Sequence, residues 1–543
     1  MCGIICLIQY GPINIGSAVE CLDKLKSRGP DKQHYQIISN DKAEVFMGFA
    51  RLAIMDITDA GLQPFTDENG NVCICNGEIY NYKELAKRYD ISMNSDCDCE
   101  ILLPIFNKMG FVNMITTELD AEFASVIYSS NENRIYAARD KYGVRPLYYG
   151  YNNSTKTIGF ASELKALSPI MEFVEQLKPN YMLTVNMANI NSIDNVSQLF
   201  EKYSYYDYKN LIATSGLDNV EYIQEQILNY LTAAVEKRLH ADRQIGFLLS
   251  GGLDSSLIVA IATKLLGPDK IVCFSVGIDG SPDIEAAKKV VEYLGITEHH
   301  IIPFTVELGL SNLSNVIQMV ETYDITTIRA STPQYIMAKY IKEKTNVRVL
   351  LSGEGSDEIH GSYRYFRNAS NMKEFHWETI RLLEELYFFD NKRTDRSMAG
   401  NGLEVRIPFL DTEYVEFITR IDPRLLMYRD DYIEKKIIRD SFKGYLPDEI
   451  LYRSKEAFSD AVSNNETNWA DAIKKLANDT ITDKDLEMNE FVFNKPKTKD
   501  ALYFRRIFNN IYPNRDHIIP HYWLPRFQNK EILDPSARIL ECY

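Results

Sequence analysis

An apolar run, Ile245 to Leu249, leads into Ser250-Gly251-Gly252-Leu253-Asp254-Ser255, and a second apolar segment follows from Leu257 to Leu266. That order reads as strand, tight turn and helix. Glycines let backbone come close to an anion, and the free N–H groups and positive dipole end of a helix N-terminus point at the same spot. The turn is built to hold phosphate. It lacks the Gly-Lys-Ser/Thr ending of a Walker loop, so γ-phosphoryl transfer is not its natural chemistry. A second reactive stretch is Met1-Cys2-Gly3-Ile4-Ile5. Met1 is normally trimmed before a small residue, which leaves Cys2 with both a thiol and an α-amine. An amine titrating near 8 can serve as base to a thiol of pKa about 8.5, giving a nucleophile with a built-in base. A third stretch, Ser352-Gly353-Glu354-Gly355-Ser356-Asp357-Glu358, is a glycine turn loaded with carboxylates. Beside a phosphate loop, such carboxylates suit Mg²⁺ on pyrophosphate.

The elements around these stretches follow from periodicity. Val220, Ile223, Ile227, Leu231 and Ala234 recur at helical spacing and deliver the chain to the phosphate loop. Beyond it, Ile271 to Val276, His299 to Ile302 and Val347 to Ser352 read as strands, and Asp283 to Leu294 and Tyr335 to Lys344 as helices. The alternation predicts a parallel sheet with helices on both faces. Ligands in such sheets sit at the carboxyl ends of strands, where Ser250 to Ser255, Val276-Gly277 and Ser352 to Glu358 arrive. The first two hundred residues show short β-like runs such as Ala43 to Phe49. The polar, Asn-rich stretch Val185 to Asn210 reads as the crossing between two domains, 2–205 and 206–543.

Composition bounds the function. A net charge of −16 argues against a nucleic-acid or anionic-membrane partner, and no apolar run approaches a membrane span. Small-molecule chemistry in the cytoplasm is the expectation. Nine cysteines are scattered rather than framed as disulfides. Cys73/Cys75 and Cys97/Cys99 have Cys-x-Cys spacing with no histidine nearby, which does not favour zinc. Alternation in Val72-Cys73-Ile74-Cys75 places both thiols on one strand face. His299-His300 read as a helix-to-strand corner without a role.

Ser-Gly-Gly-x-Asp-Ser resembles the pyrophosphate loop of N-type ATP pyrophosphatases, which cleave ATP between its α and β phosphates. Arg28-Gly29-Pro30-Asp31, Arg51-Leu52-Ala53-Ile54, Asn76-Gly77-Glu78-Ile79-Tyr80-Asn81 and Cys97-Asp98-Cys99-Glu100 resemble class II glutamine amidotransferase domains. That resemblance implies an N-terminal αββα antiparallel sandwich, Ntn-hydrolase-like, in which Cys2 attacks the side-chain amide of glutamine. Asn76 and the Gly77 N–H would form the oxyanion hole. Arg51, with Leu52, Ala53 and Ile54, would bind the glutamine carboxylate, and Glu78 and Asp98 its ammonium. Phe49 stands where relatives often have histidine. Cys97 precedes Asp98 where serine is usual, and Ser95-Asp96 leaves Asp96 as an alternative.

The match becomes more specific further on. Glu321 to Pro333, Leu351 to Glu358, Gly402 to Asp411 and Lys455-Glu456-Ala457-Phe458-Ser459-Asp460 resemble the glutamine-dependent asparagine synthetases, and with the first domain the resemblance spans nearly the whole chain. It implies a C-terminal parallel sheet flanked by helices, adenine nucleotide α-hydrolase-like, that adenylates L-aspartate and aminates it with ammonia from L-glutamine. ATP would lie on Leu249, Ser250, Gly251, Gly252, Asp254, Ser255, Val276, Ser352 and Gly353, with Asp254 and Asp357 on Mg²⁺. Arg329 and Lys455 would offset charge at the α-phosphate, Thr326 and Thr327 would help hold aspartate or phosphate, and Glu354 would be the base. Relatives are often homodimers. His360 and Ser362 replace the phenylalanine or leucine and the glycine common there, and Ala461 departs from the usual glycine pattern. Rival readings are a ligase of the same fold acting on another carboxylate and a silent scaffold.

Overall fold

The strand behind Cys2 runs Gly3–Tyr10 and pairs antiparallel with Ala43–Arg51 on one side and Thr157–Ala161 on the other. Its position in the middle of a sheet explains its nearly continuous burial. Alternate residues Ile4, Cys6 and Ile8 join Val45, Met47 and Phe49 in a core shared with Val72, Ile74, Val126, Ala137 and Leu183 of a second sheet. The intervening residues meet the helix Ile15–Asp23, which is capped by Asn14 and buries Ala18, Cys21 and Leu22. The computed structural model describes residues 1–39, 43–189, 195–211, 216–428, 433–454, 468–527, 533 and 535.

Two six-stranded antiparallel sheets face each other across this core. The first has the order Phe173–Gln176, Tyr148–Asn152, Thr157–Ala161, Gly3–Tyr10, Ala43–Arg51, Lys32–Ser39. The second has the order Phe200–Ser204, Tyr181–Asn186, Arg134–Arg139, Ala121–Ser129, Val72–Ile79, Phe65–Thr66. Helix Leu102–Asn113 packs against Val72–Ile79. The chain divides into one compact unit of Met1–Asp207, Ala241–Arg243 and Ala399–Glu404, and another comprising Tyr208–His240, Gln244–Met398 and Val405–Tyr543. Two short pieces from late in the sequence thus belong with the first sandwich.

A third sheet has the strand order Glu298–Pro303, Val272–Gly277, Ile245–Leu248, Val349–Leu351, Glu404–Arg406. The pairings among the first four are parallel. Strand order reverses between Ile245–Leu248 and Val349–Leu351, so the loops leaving these two strands flank a topological switch point, where open α/β sheets hold ligands. Helices Val220–Lys237, Leu253–Leu266 and Pro282–Leu294 appear as the periodicity predicts. Leu253–Leu266 begins a turn earlier than the apolar segment because Gly252 is its N-cap.

Two sequence expectations are corrected. His299 and His300 lie within strand Glu298–Pro303, as the strand expected from His299 to Ile302 has it, so only their reading as a corner is corrected; His299 Nε2 sits 2.8 Å from Ser275 Oγ on the neighbouring strand. The helix expected from Tyr335 starts at Ile325 and continues through Pro333 to Lys344. Among the described residues, no helix is long and apolar enough to cross a membrane.

Candidate active sites

Cys2 lies at the start of its strand and lines a small cavity of about 30 Å³ with Phe49, Arg51, Leu52, Ile54, Gly77, Glu78, Cys97, Asp98 and Glu404. Its thiol donates to Leu52 O at 3.5 Å and accepts from Leu52 N–H at 3.4 Å. Arg28 Nε donates to Cys2 O at 2.8 Å, and Arg28 Nη1 pairs with buried Glu163 at 2.8 Å. Ser162 Oγ accepts from Ile4 N–H. The Arg28 and Ser162-Glu163 motifs therefore fix the N-terminal strand. Burial pushes the Cys2 thiol up to about 11, against the pull of the N-terminal amine and the Leu52 N–H. Burial also lowers the pKa of that amine, whose nitrogen, on Met1, lies 3.5 Å from Glu404.

Asn76 sits fully buried in strand Val72–Ile79, and neither its Nδ2 nor its Oδ1 has a partner among the described residues. A buried amide left unsatisfied costs roughly 1–3 kcal/mol, so it marks a place where a ligand belongs. Gly77 cannot take a side chain, since a Cβ would stand 2.4 Å from Glu122 O. Arg51 is anchored by the carbonyls of Asp56 and Thr58. Asp98 accepts from Ile79 N–H at 2.6 Å and lines the cavity, whereas Asp96 is exposed. Ala53 is held from both sides, its N–H by Asp31 and its carbonyl by Arg243 Nε, at 2.8 and 2.9 Å. Asp242, Arg243 and Glu404 carry no sequence signal for this site, being some 150 residues or more distant in the chain. The Cys75, Cys97 and Cys99 thiols converge here, linked through Cys99.

The second unit holds a larger cavity, of about 200 Å³. It is lined by Leu249, Ser250, Gly252, Asp254, Ser255, Val276, Thr326, Ser352, Gly353, Glu354 and Asp357, all of them site residues expected from the sequence. The phosphate loop is braced internally: Ser250 N–H and Oγ lie 3.1 and 3.0 Å from Ser255 Oγ. Gly251 adopts φ +75°, and a Cβ there would stand 2.5 Å from Asp283 O. Gly353 meets the same loop, since its Cβ would be 2.7 Å from Ser255 N. The two glycine turns touch backbone to backbone, which only glycine permits.

Other expectations are placed differently. Gly251 is under the loop rather than on the cavity. Thr327 is engaged in its helix cap, where its N–H and hydroxyl both donate to the N-cap residue Asp324. Arg329, expected at the α-phosphate, does not line the cavity. Its Nη2 pairs with Asp500 at 2.8 Å and both side chains are buried, because the helix presents Thr326, Ala330, Gln334 and Met337 to the cavity and turns Arg329 toward helix Lys499–Ile511. Lys455 and Ala461 lie outside the described residues.

Sequence reasoning missed Lys435, Arg393 and Gln334. Lys435 Nζ lies 2.7 Å from Asp254 Oδ1 and 2.7 Å from Asp357 Oδ1. It reaches them from a left-handed backbone conformation, φ +56°, that a lysine adopts only at a cost. Arg393 Nη2 pairs with Glu354, which also accepts from Gln334 Nε2 at 3.2 Å. Gln334 Oε1 is buried without a partner among the described residues.

Comparison with known proteins agrees with both halves. Residues 1–209 match a family model described as glutamine amidotransferase domain, and residues 226–377 and 367–517 match one described as asparagine synthase. A probable glutamine-hydrolyzing asparagine synthetase of Acanthamoeba polyphaga mimivirus is 63% identical over 550 residues, covering 99% of this chain and all of its own. Those of Gallus gallus and Rattus norvegicus are 37% and 36% identical, each covering 100% of this chain and 99% of their own. The chain belongs to the family of glutamine-hydrolysing asparagine synthetases.

Proposed function

We propose that residues 2–205 hydrolyse L-glutamine and residues 206–543 use the released ammonia to convert L-aspartate to L-asparagine at the expense of ATP. Cys2 attacks the glutamine amide, and Asn76 with the Gly77 N–H receives the oxyanion; the orphaned amide of Asn76 supports this role. Arg51 binds the substrate carboxylate, with Leu52, Ala53 and Ile54 shaping its seat, and Glu78 and Asp98 bind the ammonium. Burial pushes the Cys2 thiol up to about 11, so it needs a base, and the α-amine that removal of Met1 leaves on Cys2 supplies one.

In the second reaction the carboxylate of aspartate is adenylated, because its own oxygen is a poor leaving group. The loops Ser250 to Ser255 and Ser352-Gly353 hold the phosphates. Asp254 and Asp357 share the Lys435 ammonium, and among the described residues no group of three or more His, Cys, Asp or Glu is placed to hold a metal; with phosphate oxygens completing the set, the two carboxylates would suit Mg²⁺. Bound there, Mg²⁺ would neutralise charge on the pyrophosphate. Lys435, with Lys455, supports the departing group. Thr326 and the open Gln334 Oε1 bind aspartate. Glu354, paired with Arg393, takes the proton as the C–N bond forms. The cytoplasm is the compartment that this reading assigns to the protein.

The observation that carries this reading is the meeting of the two glycine turns at one cavity with Glu354 inside it. The test is purified protein with ATP, Mg²⁺ and aspartate, following asparagine, AMP and pyrophosphate with glutamine and, separately, with ammonium. Product from both nitrogen sources supports both reactions. No AMP from either refutes the synthetase reading.

A further inference from the structure

Asp254 is tied to more than the phosphate loop. Its Oδ1 lies 2.8 Å from Ser356 Oγ as well as 2.7 Å from Lys435 Nζ. Ser356 Oγ is 3.1 Å from His360 Nδ1, and His360 Nε2 is 3.0 Å from Tyr414 OH. Ser356, His360 and Tyr414 are all at most 1% exposed.

Proton counting fixes the direction of donation. An ionised carboxylate only accepts, so the single hydroxyl proton of Ser356 goes to Asp254. Ser356 oxygen must then accept, so His360 carries its hydrogen on Nδ1. A neutral ring has one N–H, so Nε2 accepts and Tyr414 donates. A second ring proton is opposed by burial and by Lys435, which push the imidazole pKa down to about 3. Tyr414, His360 and Ser356 thus form a one-way run of donors ending on Asp254.

We propose that His360 is a positioning residue for ATP: through Ser356 it orients the Asp254 carboxylate beside the phosphate loop, and Tyr414 selects the tautomer that lets it do so. The inference rests on the assignment of this cavity to ATP. Its physical basis is that a carboxylate held by two donors at one oxygen has lost its freedom to rotate, so the cost of ordering it is not incurred when ATP binds.

The test compares full-length wild type with His360→Phe, His360→Asn, Tyr414→Phe and the double variant His360→Phe/Tyr414→Phe. Asparagine can present an amide N–H near the place of Nδ1. The measurements are the Kd for ATP with Mg²⁺ by calorimetry without aspartate, KM for ATP and kcat in ammonium-dependent synthesis, and the thermal midpoint. His360→Phe should weaken ATP binding roughly fivefold, the size of one net hydrogen bond, with KM moving more than kcat. His360→Asn should recover most of the affinity. Tyr414→Phe should shift it the same way by less, and the double variant should bind no more weakly than His360→Phe, because Tyr414 acts only through the ring. An unchanged Kd in His360→Phe, failure of His360→Asn to recover, or additive losses would overturn the proposal. Should His360→Phe not fold, Tyr414→Phe and His360→Asn decide it by the same criteria. Absence of ATP binding in wild type would instead overturn the assignment of the cavity itself.

Discussion

Trp469 Nε1 donates a hydrogen bond to the carbonyl of Arg329 at 2.9 Å. That carbonyl is the acceptor that Pro333, having no N–H, leaves unsatisfied four residues on in helix Ile325–Lys344. The indole replaces the missing helical bond from 140 residues away, and the helix carrying Thr326 and Gln334 to the cavity stays continuous. Trp469 is fully buried, with its ring edge-on to Phe304 at 5.1 Å. Trp469→Phe should retain much of the packing but strand the carbonyl, at a cost of about 1–3 kcal/mol. Urea unfolding checks this; a loss no larger than that of a surface substitution would show that the bond contributes nothing.

Asn76 brings two polar atoms without a partner among the described residues into a fully buried position, and in the proposed reaction the oxyanion accounts for the donor. Asn76→Ala should lower kcat for glutamine hydrolysis roughly 10²–10³-fold, the usual effect of removing one oxyanion donor. Ammonium-dependent synthesis should be untouched. Equal loss with both nitrogen sources would place the defect in folding rather than in the oxyanion hole.

Glu354 faces the cavity with Arg393 and Gln334 on it. In the proposed role of base for the C–N step, it is dispensable for adenylation. Glu354→Gln should preserve aspartate-dependent exchange of pyrophosphate into ATP while lowering asparagine formation by about 10²–10⁴-fold, the range of general-base contributions. If exchange falls in parallel with synthesis, Glu354 acts before the amination step.

Continuous apolar runs made Ala43 to Phe49 and the strands around the phosphate loop readable, because these strands are buried on both faces; Gly3–Tyr10, equally buried, was not picked out as a strand. Glycine turns after strands were equally plain, since close backbone contact leaves no other residue type. The long helix was cut short at Pro333 because a proline reads as a breaker until the distant Trp469 is known. Lys435 was invisible for a related reason: it sits beside Glu434 and Lys436 like any surface charge, and only folding brings it between Asp254 and Asp357. Arg329 misled in the opposite sense, since a conspicuous motif placed it at the phosphate while its helix face turns it to Asp500.

His360 also gives a pH signature of stability. Burial and the nearby Lys435 hold its pKa at about 3, against an ordinary 6.5. Between those values the unfolded chain takes up a proton that the folded protein refuses. Its contribution is therefore fully present above the unfolded value and declines as pH falls toward the folded one, by about 1.4 kcal/mol per pH unit at most. His299 and His376 are also lowered by burial, but they act alike in wild type and in a His360 variant and cancel in the comparison. His360→Phe has no such proton to exclude. Urea unfolding at about pH 7.5 and about pH 5 should thus show the variant losing less stability on acidification than wild type. A difference between the two proteins that stays constant across that interval would mean that the folded protein lets His360 take up its proton as readily as the unfolded chain does, and that burial does not hold the ring neutral.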